Sequence, residues 1–206
     1  MKILCIGSHP DDMELAMSGT LMKHNEKGDE THVAVCCLGN MPEIFKQRED
    51  EAREGASILK VTKLHSLNYS VFKLNKLSTE FGKLIKKTIE EINPDRLYVH
   101  SPFDYHQVHV TVNKSVMKVV KDVKQILFYE TVSSTTPEFR PNAYVDITKY
   151  IDFKIKSIQA HKTQSHRLYM HPNAARSLAN TRYIWGKVGS DPNGFAEAFR
   201  IHKMIL

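Results

Sequence analysis

The apolar residues of this chain fall into short runs, separated by longer segments in which they recur every three or four positions. The run Ile3, Leu4, Cys5, Ile6 predicts a first strand over 3–6, and the following pattern a helix over 14–25, stopped at Gly28-Asp29. The Val-rich run 31–38 is continuous rather than alternating, the mark of a strand buried on both faces. Residues 42–59 carry mixed charges, with Ile44, Ala52, Ala56 and Leu59 at near-helical spacing. Further on, the pattern predicts a short strand over 64–67 and a helix over 77–92 that ends before Asn93-Pro94. It then predicts strands over 96–100 and 125–129, and helices over 108–120 and 147–161. Segments 133–144 and 166–193 show no clear period and are expected to form loops or lids.

Strands that alternate with helices imply an α/β fold: a mostly parallel sheet with helices on both faces. No repeat, linker or low-complexity segment divides the chain. One domain over 1–206 is expected, its C-terminal part an extension that shapes a pocket.

Composition narrows the class. The chain has 206 residues, 41% hydrophobic and 25% charged, so it buries a core without help from disulfides or a structural metal. Cys5, Cys36 and Cys37 all lie in apolar runs, which favours buried reduced thiols. The first apolar run is too short for a signal-peptide core, and no later stretch reaches spanning length. The expected location is the cytoplasm. A net charge of +6 attracts anions, but no basic surface interleaved with aromatics or nucleic-acid module is visible. The lysines of 83–87 and 114–121 read as solvated helix faces. Without Gly-x-Gly-x-x-Gly after the first strand, a dinucleotide cofactor is not expected.

The eleven histidines matter through their placement. Open parallel sheets bind ligands beyond the carboxyl ends of their strands. The first strand runs into His9-Pro10-Asp11-Asp12-Met13-Glu14, and strand 96–100 into Ser101-Pro102-Phe103-Asp104-Tyr105-His106-Gln107-Val108-His109. Both ends bring histidine together with carboxylate. His9, Asp12 and His109 suit a catalytic zinc, which takes three protein ligands and keeps a position open for water. Asp11 is then the candidate general base. His106, one turn before His109, is the candidate to steady an oxyanion or protonate a leaving group. A helix cap is the plain alternative for either aspartate. Two histidines and a carboxylate also suit Fe2+, so ligand types alone leave a ferrous oxygenase open. Phe103, Tyr105 and Tyr129, near strand ends, suit either a sugar-pocket wall or core packing.

The motif His9-Pro10-Asp11-Asp12-Met13-Glu14, with Ser18-Gly19-Thr20-Leu21 after it, resembles the opening of the LmbE-like, or PIG-L, N-acetylglucosaminyl deacetylase family. Arg48 with Glu51 and Leu59 is similar to the family's arginine helix. Asp104 to His109 resembles its second histidine motif. Asp146-Ile147-Thr148, Lys156 through His161 to Gln164, and Ala196-Glu197-Ala198-Phe199 are similar to its C-terminal landmarks.

The resemblance implies a Rossmann-like fold and a zinc-dependent hydrolase that removes an N-acyl group from an amino sugar or sugar conjugate. It implies His9, Asp12 and His109 as metal ligands, Asp11 as base, His106 in the electrostatic or acid role, and Arg48 in the substrate pocket. Two departures stand out: Val108 where the family commonly has aspartate, and Ser18 where glycine is common. The implied partner is a small N-acetylated sugar or glycoconjugate, and a homo-oligomer is compatible with the sequence. Other readings are an amidase acting on a thiol-sugar conjugate or an acylated antibiotic, and a non-catalytic sugar- or nucleotide-binding module that retains metal.

Overall fold

Seven strands form one sheet in the computed structural model, which describes residues 1–74 and 78–205. The strands are β1 (Lys2–Gly7), β2 (Glu30–Val35), β3 (Lys63–Ser66), β4 (Arg96–His100), β5 (Gln125–Tyr129), β6 (Ala143–Asp146) and β7 (Ala196–Met204). The helices are α1 (Asp12–Glu26), α2 (Phe45–Ile58), α3 (Val71–Leu74), α4 (Thr79–Ile92), α5 (Gln107–Val119), α6 (Ile151–Gln159) and α7 (Pro172–Trp185). The sheet order is β3-β2-β1-β4-β5-β7-β6. β1 to β5 run parallel, whereas β7 pairs antiparallel with both β5 and β6.

Alternate residues of the same strands feed two cores. Leu4, Ile6, Leu97, Val99, Ile126 and Phe128 pack with α4 and α5, while Ile3, Cys5, Tyr98, Leu127 and Tyr129 pack on the α1 side. Covering both faces makes the central strands continuously apolar. α4 buries Phe81, Ile85, Ile89 and Ile92 along one stripe. Its first turn is held by Ser78 Oγ, which accepts from the Phe81 amide at 3.0 Å. Asn93, at φ 49°, ends it. The predicted start of this helix at Leu77 lies outside the described residues. Cys5, Cys36 and Cys37 are buried free thiols. Among the described residues no helix is long and apolar enough to cross a membrane.

The segments without a visible period are more ordered than expected. Part of 133–144 leads into β6, and 166–193 contains α7. Helix 42–59 is a 3-10 turn over Pro42–Ile44 followed by α2, and helix 147–161 is likewise a 3-10 turn over Thr148–Tyr150 followed by α6. α7 was hidden because its inner face is mostly small: Ala175, Ala179 and Tyr183.

α1 is broken at Met17, where φ is −148° and ψ 27°. A break leaves carbonyls before it and amides after it without helical partners. Lys154 Nζ reaches the Leu15 and Glu14 carbonyls at 2.8 and 3.2 Å, and Ser18 Oγ donates to the Glu14 carbonyl at 2.7 Å. The Gly19 and Thr20 amides donate to the Glu197 carboxylate at 3.0 and 2.7 Å. Lys154 Nζ also donates to Glu197 Oε1 at 2.8 Å, with both side chains buried. Glu197→Ala strands a buried ammonium and two amides, and is expected to cost about 3–5 kcal/mol, read from the midpoint of urea unfolding. Pairing it with Lys154→Met should recover part of that loss. An unchanged midpoint in Glu197→Ala would show that the break holds without the pair.

Candidate active site and metal centre

Strand order reverses between β1 and β4, so the chains leaving these two neighbours diverge and open a crevice at their carboxyl ends. The β1 chain supplies His9, Asp11 and Asp12, and the β4 chain His100, Asp104, His106 and His109. Asp12 is the hub. Its Oδ2 accepts from the His9 amide at 2.7 Å and lies 3.1 Å from His100 Nε2 and 3.7 Å from His9 Nδ1. Its Oδ1 lies 3.3 Å from His109 Nε2. The facing imidazoles of His109 and His100 hold the Asp12 carboxyl well below its ordinary range, against burial.

Asp104 orients the second ring. Its Oδ2 is 3.1 Å from His109 Nδ1, and its Oδ1 accepts from the His106 amide at 2.7 Å. Although burial opposes it, Asp12 and Asp104 raise His109 to about 9. His100, His109 and His106 stack, with centroid separations of 3.9 and 4.3 Å. His106 Nδ1 accepts from the Val108 amide at 3.2 Å, capping α5 and leaving Nε2 as the protonated nitrogen of the neutral ring. Burial, with the His109 and His9 charges, lowers His106 to about 4. Val108 itself is buried in the α5 core, so no carboxylate side chain stands there to offset that shift.

The donor set fits a divalent metal. Donor atoms of His9, His106 and His109 lie within 4.8 Å of one another, as do those of Asp12, His100 and His109. Imidazole nitrogens beside a carboxylate, with a second carboxylate fixing one ring from behind, are what such an ion requires.

Asp11 faces the same crevice on a strained backbone, with φ 97° and ψ −28°, and its side chain makes no capping bond to α1. A left-handed conformation outside glycine costs energy that the surrounding structure must impose. Burial and Asp12 push the Asp11 carboxyl up to about 6, against His161, Arg48 and His9. Arg48 Nη2 lies 3.9 Å from Asp11 Oδ2, while the guanidinium donates to the Leu38 and Pro10 carbonyls at 3.0 and 3.1 Å. Gly39, at φ 101°, makes room for it, since a Cβ there would meet Arg48 Nη1 at 2.5 Å.

These groups open into a cavity of about 550 Å³, within the range of small-molecule sites. His9, Asp11, Asp12, Arg48, His106 and His109 all line it. Its other walls include Phe72, Gln164, Arg167 and Tyr169, so the C-terminal segment does shape the pocket. The aromatic walls are Phe72 and Tyr169; Phe103 and Tyr105 are not among the lining residues, and Tyr129 takes the core-packing alternative. Tyr105 is exposed, and Tyr129 is buried with its hydroxyl donating to the Ile6 carbonyl at 2.7 Å. His100 and Asp104 were not singled out from sequence, although Asp104 stands inside the second motif.

Residues 4–120 match the family model PIG-L, described as GlcNAc-PI de-N-acetylase. The chain belongs to the PIG-L family. It is 30% identical over 168 residues to the uncharacterized deacetylase YaiS of Escherichia coli, a match spanning 78% of this chain and 90% of that protein. N,N'-diacetylchitobiose deacetylase of Pyrococcus horikoshii superposes with a TM-score of 0.76 at 24% identity, covering 97% of this chain and 83% of that one. The 4-carboxy-2-hydroxymuconate hydratase GalB of Pseudomonas putida superposes with a TM-score of 0.84 at 17% identity, over 100% and 97% of the two chains. The PIG-L fold therefore accommodates more than one chemistry, and the site must decide between them.

The strain at Asp11 is measurable. Asp11→Gly relieves the left-handed backbone whereas Asp11→Ala keeps it, so the glycine variant should be more stable by roughly 1 kcal/mol. Thermal unfolding of the two variants checks this; equal or reversed midpoints would mean that the backbone relaxes.

Proposed function

We propose that this PIG-L protein is a metal-dependent N-deacetylase of an amino sugar or sugar conjugate. The observation that carries the reading is a buried carboxyl, Asp11, beside a set of imidazole and carboxylate donors in one sugar-sized cavity. His9, Asp12 and His109 are the metal ligands in this reading. A zinc ion there would act as Lewis acid toward the amide carbonyl and lower the pKa of water from about 15.7 toward 7.

The chain's own residues do the rest. Asp11, with a pKa of about 6, is ionised at neutral pH and close enough to solution pH to take a proton from water and return it to the departing nitrogen. Neutral His106 presents its Nε2 hydrogen to the oxyanion that develops on the amide oxygen, a donor fixed by the Val108 amide at Nδ1. Arg48 is anchored by two carbonyls and lines the cavity beside Asp11, so its remaining hydrogens are placed for sugar hydroxyls. Family membership and the deacetylase names among the relatives support an N-acetylated sugar as substrate. The hydratase of like fold is 17% identical to this chain, a likeness of fold alone.

Two measurements test this together. Asp11→Asn should keep its metal, measured by elemental analysis, and lose about 10²–10⁴-fold in kcat for acetate release from N-acetylglucosamine conjugates. His109→Ala should lose the metal itself, and chelation of the parent protein should abolish turnover until zinc or ferrous iron is restored. Unchanged turnover in Asp11→Asn with full metal content would remove Asp11 from the role of base. Turnover indifferent to chelation would remove the metal.

A further inference from the structure

A second cavity, of about 340 Å³, lies at the opposite end of the sheet from the metal donors. Arg96, the first residue of β4, lines it, whereas His100, the last residue of that strand, belongs to the metal centre. Thr20, Lys23 and His24 on the second half of α1, and Lys27 just after its end, form another wall, with Tyr98 beside them.

The charges on this cavity are unbalanced. Lys23, Lys27 and Arg96 line it, with Asp146 as its acid, and none of the three cations is ion-paired among the described residues. Nearby carboxylates are engaged elsewhere. Asp29 holds the Met1 amino group and His24, Glu26 holds Lys149 and Tyr150, and Asp146 Oδ1 accepts from the Thr148 amide. Among the described residues Lys23 Nζ reaches only a backbone oxygen, that of Asp146, at 3.2 Å.

Arg96 is held in place rather than left mobile. Its Nε donates to Gln125 Oε1 at 2.6 Å and its Nη1 to the Tyr98 hydroxyl at 3.3 Å. The Tyr98 hydroxyl is in turn 3.0 Å from His24 Nε2, whose ring is fixed by Asp29 at 2.6 Å from Nδ1. Nη2 keeps no protein acceptor among the described residues.

Lysines in the last turn of a helix also offset its negative end, which accounts for Lys23 and Lys27 on their own. It does not account for a guanidinium on a neighbouring strand that two side chains brace and whose Nη2 keeps no acceptor among the described residues. We propose that this cavity binds a small phosphate-bearing anion. Arg96 offers its outer edge to two phosphate oxygens, and Lys23 and Lys27 neutralise the remaining charge. A monocarboxylate would leave most of the positive charge uncompensated. The site is independent of the deacetylase reading.

The test is a titration of the metal-loaded full chain with inorganic phosphate, and separately with glucose 6-phosphate, at constant pH and ionic strength. Phosphate also meets a metal centre, so the readout must be local: the imidazole resonances of His24. A saturable shift is expected, weakened about tenfold or more in Lys23→Gln/Lys27→Gln, with a cooperative unfolding transition kept in the double variant, its midpoint lowered only slightly by the lost helix-end charges. Tighter binding of the sugar phosphate would identify an ester as the ligand, and equal or weaker binding free phosphate. No saturable shift with either probe, or the same affinity in the double variant, would overturn the proposal.

Discussion

The buried contact between Lys154 and Glu197 joins parts of the chain that would otherwise have no reason to meet. It brings α6 and the late strand β7 to the break in α1, and each charge caps one side of that break. Without those caps, a helix interrupted at Met17 would leave buried backbone groups unsatisfied, at a cost of about 1–3 kcal/mol each. With them, the first turns of α1 carry Asp12 and Glu14 while the later turns pack on the sheet. Ser18 belongs to the same arrangement. Its hydroxyl bonds the Glu14 carbonyl and lies 3.0 Å from Ser157 Oγ, so the departure from glycine at this position supplies a bond as well as bulk.

Sequence periodicity was a good guide where burial was two-sided and a poor one elsewhere. The strands predicted over 96–100 and 125–129 coincide with β4 and β5, because each carries a buried apolar run, Leu97 to Val99 and Ile126 to Tyr129, between polar neighbours. β7 escaped notice because its outer half, Arg200 to Met204, is only partly buried and mixes polar with apolar residues. α7 presents alanines to the core and so carries little apolar contrast. At the site, placement relative to strand ends singled out His9, Asp11, Asp12, His106 and His109, and folding brings all five to one cavity with Arg48. His100 was concealed as the last residue of an apolar strand. Phe72 and Tyr169 depend on how distant loops close over the crevice, which no local pattern records.

The geometry around the two adjacent aspartates shows how one sequence pair yields two electrostatic environments. Asp12 faces imidazoles and stays ionised, whereas Asp11, about equally buried, has the Asp12 charge beside it, and burial together with that charge resists its ionisation. Arg48 and His161 keep that resistance moderate. His161 is itself buried 3.2 Å from Glu14, a pair that closes the far side of the loop. In the proposed reaction, that separation of the two aspartates would set Asp12 to hold the metal and Asp11 to move the proton.

The two outermost strands of the sheet, β3 and β6, are each four residues long and half-buried at most positions. A strand of that length offers an approaching chain only a few free backbone groups, and β3 begins with a lysine. The same edges that terminate the sheet therefore guard against its continuation from one molecule to the next. Self-association of this protein, where it occurs, should use helix or loop surfaces, and the fully folded chain should resist strand-mediated aggregation at high concentration.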